Sequence, residues 1–154
     1  IIDTDAEGRL VMADCLAYAD IKFKNAVIMD FSTLTGSQDS FSCKIFGSVV
    51  SRHKTLLDKM YSTGNYIQEK MIGTPYLQEF ERFIESDTAD MRNVGNNDCE
   101  SGIFTSATFL AQFVNEDKKW VHIDFAGPSW KNNKRYYPTE GSSFGLRFLY
   151  ELIN

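Results

Sequence analysis

Apolar residues recur three and four apart from residue 9 to about residue 19. Leu10, Ala13, Leu16 and Ala17 share a stripe there, and the spacing predicts a helix that is over by Asn25. Residues 26–31 form a short apolar run between polar flanks, the pattern of a buried strand. Residues 32–37 (Ser-Thr-Leu-Thr-Gly-Ser) read as the loop beyond that strand's carboxyl end, where open α/β sheets place their ligands. Residues 45–50 predict a second strand with Gly47 inside it. Ser51 is the expected N-cap of a helix through Met60 and Tyr61 that stops near Gly64. Pro75 is expected to open a further helix carrying Tyr76, Leu77, Phe80, Phe83 and Ile84. After a Gly/Asn/Asp-rich loop at 95–98, residues 102–114 carry Ile103, Ala107, Leu110, Ala111 and Val114 as a full helical stripe. Residues 120–125 alternate like a strand that Ala126, Gly127 and Pro128 close. Residues 131–142 read as a polar surface loop and 144–153 as a last helix. Helices alternating with short apolar strands imply an α/β layered architecture.

Composition narrows the function classes. With 154 residues, 43% hydrophobic and 14% aromatic, the chain has enough apolar mass for one packed domain. No apolar run approaches the roughly 20 residues that span a bilayer, and the acidic start is unlike a secretory leader, so no membrane partner is expected. A net charge of −5 opposes binding to nucleic acid, which depends on phosphate neutralisation. The three cysteines, Cys15, Cys43 and Cys99, are odd in number and far apart. They point to a reducing compartment, hence the cytoplasm, and are expected to be buried small hydrophobes.

The chemistry concentrates at the start. Asp3, Asp5, Glu7 and Arg9 alternate with the small residues Thr4, Ala6 and Gly8. In an extended stretch the four charged side chains would share one face. Three crowded carboxylates repel one another and call for a counter-charge, which a divalent cation supplies through hard oxygen ligands. An acidic turn leading into a helix, favoured by the helix dipole, is the plainer alternative.

The string Thr-Asp-Ala-Glu-Gly-Arg-Leu at 4–10 resembles the signature of the leucine aminopeptidase (cytosol aminopeptidase) family of two-metal peptidases. Four further stretches resemble that family in order. They are Thr33-Leu34-Thr35-Gly36, the run 87–95 ending Met-Arg-Asn-Val-Gly, the helix from Gly102 to Phe113, and the strand Trp-Val-His-Ile-Asp-Phe-Ala-Gly at 120–127. The Gly145-Leu146-Arg147 triplet is similar to the family's closing Gly-x-Arg.

The resemblance implies an α/β fold, a mixed sheet flanked by helices, with residues 1–154 forming the C-terminal portion of a single metallopeptidase catalytic domain. It implies that Asp5 binds one metal ion, that Glu7 bridges two, and that Arg9 holds a bicarbonate beside the substrate. Thr33, Leu34 and Gly36 would line the substrate site, and Ala126 and Ser129 would shape the pocket for the N-terminal side chain. The implied reaction releases N-terminal, leucine-like residues from peptides with two divalent ions (zinc, manganese or magnesium) in an assembly of six copies. Arg9 cannot serve as a base, because guanidinium stays protonated; a bidentate anion clamp suits it.

The family's remaining ligands, two lysines and two aspartates, lie upstream of this motif and are absent from these residues. The chain is therefore expected to need an N-terminal portion and to catalyse little alone. Asp14, Asp30, Asp39 and Lys22 have no spacing that nominates them as substitutes and read as ordinary surface or capping residues. Asp3 stands where the family has Asn, and the 96–100 loop is more polar and acidic than the family's. An inactive binding or scaffolding homologue is the alternative function. A Ser/His/Asp hydrolase using His122 and Asp124 lacks a Gly-x-Ser-x-Gly elbow, and no His-Glu-x-x-His string exists.

Overall fold

The computed structural model describes residues 1–99, 101–130 and 141–154. Most of the expected 131–142 loop and Glu100 of the polar 96–100 stretch lie outside them. The elements run α1 (Gly8–Lys22), β1 (Ile28–Ser32), α2 (Gly36–Ser42), β2 (Gly47–Ser51), α3 (Lys54–Ile67) and β3 (Met71–Pro75). A 3-10 turn at Gln78–Phe83 follows, then α4 (Gly102–Ala111), β4 (Trp120–Asp124), a single turn α5 (Ala126–Ser129) and α6 (Leu146–Ile153).

The four strands make one sheet in the order β1-β4-β2-β3. β1 pairs parallel with β4 and β2 parallel with β3, while β2 meets β4 antiparallel, so the sheet is mixed. Side chains alternate across it. Ile28, Asp30 and Ser32 stand beside Trp120, His122 and Asp124 on one face. There Ile28 and Trp120 join Ala13 and Leu16 of α1 and Phe109 and Leu110 of α4 in one core. On the other face Val49, Val121, Ile123 and Met71 pack with Leu57 and Met60 of α3 and Phe148 of α6 in a second. With a core on each face, β1 and β4 carry apolar side chains both ways, Ile28 and Trp120 on one face and Val121 and Ile123 on the other.

Several expectations are corrected. Residues 3–9 are not extended: a turn at Thr4 and Asp5 leads to Glu7, which caps α1 with helical angles (φ −75, ψ −31). The three carboxylates are exposed while Arg9 is buried, so the four do not share a face. Ser51 does not cap a helix but ends β2; its hydroxyl donates to the Trp120 carbonyl at 2.6 Å, and His53 is the N-cap of α3. The helix expected from Pro75 is cut short: 71–75 pair with β2 as a strand, and only Gln78–Phe83 winds, as a 3-10 helix and not an α-helix. The aromatics beyond act individually: Phe80 stacks on Phe104 of α4 with centroids 5.0 Å apart. Cys15 and Cys43 are exposed and Cys99 is partly so, all as free thiols, which removes the expected burial of the cysteines.

Candidate metal and substrate site

Two adjoining clefts meet at the start of α1. One, of about 550 Å³, is lined by Asp3, Asp5, Arg9, the turn from Leu34 to Ser37, and the 94–97 loop with Cys99. The other, of about 410 Å³, is lined by Asp5, Glu7, Arg9, Met12, Thr33 and Leu34. Asp5, Glu7, Arg9, Thr33, Leu34 and Gly36 are thus gathered in one region from two segments some 25 residues apart. Ala126 and Ser129 line neither cleft. They sit on α5, and Ser129 Oγ donates to the Ala126 carbonyl at 2.6 Å.

The segment bearing the carboxylates is held by Asn93. Its Oδ1 accepts from the backbone N–H of Ile2 (2.8 Å) and Asp3 (3.4 Å), and its Nδ2 donates to the carbonyls of Asp3 (2.7 Å) and Ala6 (3.4 Å). The Asn93 carbonyl in turn accepts from Arg9 Nη1 at 2.9 Å. Asn93 is itself buried, so a single side chain fixes the backbone on both sides of Asp5. The stretch around residue 93 resembles the family's, but no role for Asn93 is legible there, because its partners lie about 90 positions away.

Arg9 is 7% exposed, and its Nε has no partner among the described residues. Burial pushes the guanidinium below its ordinary pKa, while the Asp3 and Asp124 carboxylates pull it back up. Arg9 lines both clefts, and a guanidinium there can pair with a planar anion.

The substrate-side loop is held by Asp124, which is fully buried. Its carboxylate accepts from Leu34 N at 3.2 Å, Ala126 N at 3.2 Å and Thr35 Oγ1 at 2.6 Å. Next to α5, Gln38 of α2 accepts from Gly127 N at 2.6 Å; a Cβ at residue 127 would collide with Ser42 Oγ and with Gln38 Oε1, so only glycine lets α5 lie that close. Asp30 corrects the sequence reading, and His122 is its buried partner. His122 Nδ1 meets Asp30 Oδ1 at 2.5 Å, and the other Asp30 oxygen accepts from Trp120 Nε1 at 2.7 Å. Asp30 is therefore no ordinary surface residue: its side chain is 10% exposed and that of His122 is not exposed at all. With Asp30 on Nδ1, His122 serves the core, not a hydrolase triad.

The side chains of Asp5 and Glu7 have no hydrogen-bond or ion-pair partner among the described residues. Such unengaged carboxylates are the donors that hard or borderline divalent cations take. No group of three His, Cys, Asp or Glu converges among the described residues, so Asp5 and Glu7 are at most a partial donor set here.

Comparison with known proteins follows the same outline. The catalytic-domain profile of the cytosol aminopeptidase family matches residues 1–150. A probable cytosol aminopeptidase of Rickettsia bellii (strain OSU 85-389) is 35% identical over 154 residues, 99% of this chain and 31% of that protein. One from Chlorobium phaeobacteroides is 34% identical over 151 residues, 98% of this chain and 30% of that protein. A tomato leucine aminopeptidase mutant superposes with a TM-score of 0.88 at 31% identity, over 99% of this chain and 29% of that one. The chain spans just under a third of the length of these relatives.

Proposed function

This chain belongs to the cytosol aminopeptidase family, and on that premise we propose that it carries the C-terminal part of a two-metal aminopeptidase site, completed by protein upstream of Ile1. The observation that carries the reading is the pair of unengaged carboxylates, Asp5 and Glu7, beside a buried Arg9 whose Nε is unpaired, at clefts floored by the 33–36 loop. Asp5 and Glu7 would hold the divalent ions, whether zinc, manganese or magnesium. When bound, these ions supply Lewis-acid polarisation of a carbonyl and a lowered pKa for water. Asn93 keeps the two carboxylates where the cleft needs them. Arg9, always protonated and lining both clefts, would pair its guanidinium with a planar anion, bicarbonate in this reading, and restrain it beside the substrate. The main chain of Thr33, Leu34 and Gly36 lines the path for a peptide, and N-terminal leucine-like residues are the proposed substrates. Among the described residues no helix is long and apolar enough to cross a membrane.

Glu7→Ala in the full-length protein tests the reading. Hydrolysis of leucine amide should fall to background, and bound metal per chain should drop. Full activity with unchanged metal dependence would refute the role of Glu7.

A further inference from the structure

The polar face of the sheet carries more buried charge than a scaffold requires. Asp30 and Ser32 of β1 stand in register with His122 and Asp124 of β4, and all four share the face that α1 and α4 cover. Asp124, at the carboxyl end of β4, spends three acceptor positions on three different donors. Oδ1 takes the N–H groups of Leu34 and Ala126, and Oδ2 takes the Thr35 hydroxyl. Two of the donors belong to the loop beyond β1 and the third starts α5. A carboxylate with no solvent exposure survives as an anion only if its surroundings supply donors and counter-charge. Burial still leaves the Asp124 carboxyl above its ordinary pKa, and His122, two residues upstream with its Nδ1 held by Asp30, works against that rise.

From this arrangement we infer that Asp124 is a positioning residue for substrate: it clamps the 33–36 loop to the first turn of α5, with His122 and Asp30 as its buried support. The inference rests on the reading that this loop receives the peptide. Leu34 lines both clefts, and its N–H is tied to Asp124, so the main chain available to a peptide is set by this one carboxylate. The shortest of the three bonds is that from Thr35, a residue whose side chain is buried while Thr33 and Gly36 on either side are exposed. The loop therefore turns one side chain inward as an anchor and leaves its backbone outward.

The test uses the full-length, metal-loaded protein. Thr35→Val removes the hydroxyl and keeps the shape and the backbone N–H; Thr35→Ser keeps the hydroxyl. A bond to a buried carboxylate is the size of effect that changes affinity by about tenfold. Thr35→Val should raise KM for leucine amide by about that factor while kcat stays within about twofold, and it should speed amide hydrogen exchange across 33–36. Thr35→Ser should restore both. An unchanged KM overturns the inference, whether or not exchange quickens. A raised KM with unchanged exchange overturns it too, since the hydroxyl would then be acting on substrate directly. If the wild-type protein cleaves no amide substrate yet Thr35→Val still quickens exchange, the peptidase reading falls and the substrate role falls with it, while the clamp itself stands.

Discussion

Replacing Asp30 by Asn should destabilise the protein by an amount that depends on pH in a defined direction. The carboxylate serves two buried donors, the Trp120 indole at 2.7 Å and His122 Nδ1 at 2.5 Å. Asparagine offers one carbonyl oxygen and turns an NH2 group toward the other donor. One buried donor is left unpaired, which costs about 1–3 kcal/mol. The imidazolium also loses its closest counter-charge, which raises the total to roughly 3–5 kcal/mol while the ring is charged. Burial alone would favour the neutral ring, but the charge and hydrogen bond of Asp30 together with the charge of Asp124 outweigh it, and His122 is raised above its ordinary value of 6.5. A raised folded-state pKa means that the pair's contribution is fully present below pH 6.5 and is lost as pH climbs through the raised value. Urea midpoints of wild type and Asp30→Asn, compared from about pH 5.5 to about pH 9 across the histidine range, should therefore show their widest gap at the acidic end and a narrowing gap above it. A gap that is constant, or that widens with pH, would refute a charged His122 held by Asp30.

Two further outcomes follow from the clamps that hold the site. Asn93→Ala removes all four side-chain bonds that pin residues 2–6, and as an outer partner of the carboxylate segment it should weaken metal binding by about 10–100-fold in a chelator competition, with secondary structure intact by circular dichroism. Glu69→Gln should cost roughly 1.5–3 kcal/mol, read as a lowered urea midpoint: the amide oxygen can keep the Gly145 and Phe148 N–H bonds (3.0 and 3.1 Å, both to Oε2) that cap α6, but its NH2 then faces Arg147 Nε, whose 2.9 Å charged bond to Oε1 is lost.

What the sequence by itself determined was whatever depends on near neighbours. The apolar stripes of α1 and α4 and the runs of β1 and β4 are local periodicities, and each appears where its spacing put it, within a few residues. The Asp5, Glu7 and Arg9 constellation is likewise written within five positions and needs no partner to be noticed. α2 was invisible because its inward residues are Gln38 and Ser42; Gln38 fills a core position through hydrogen bonds to the Phe46 carbonyl at 2.7 Å and to Gly127. β3 was missed because only pairing with β2 makes a strand of a segment containing Gly73 and Pro75. Only the tertiary structure decided that Arg9 is buried, that Asn93 grips the acidic segment, and that Asp30 and Asp124 are interior anchors. Each of those bonds joins residues about 90 positions apart, and a polar side chain with its partner so far along the chain leaves no period in the sequence.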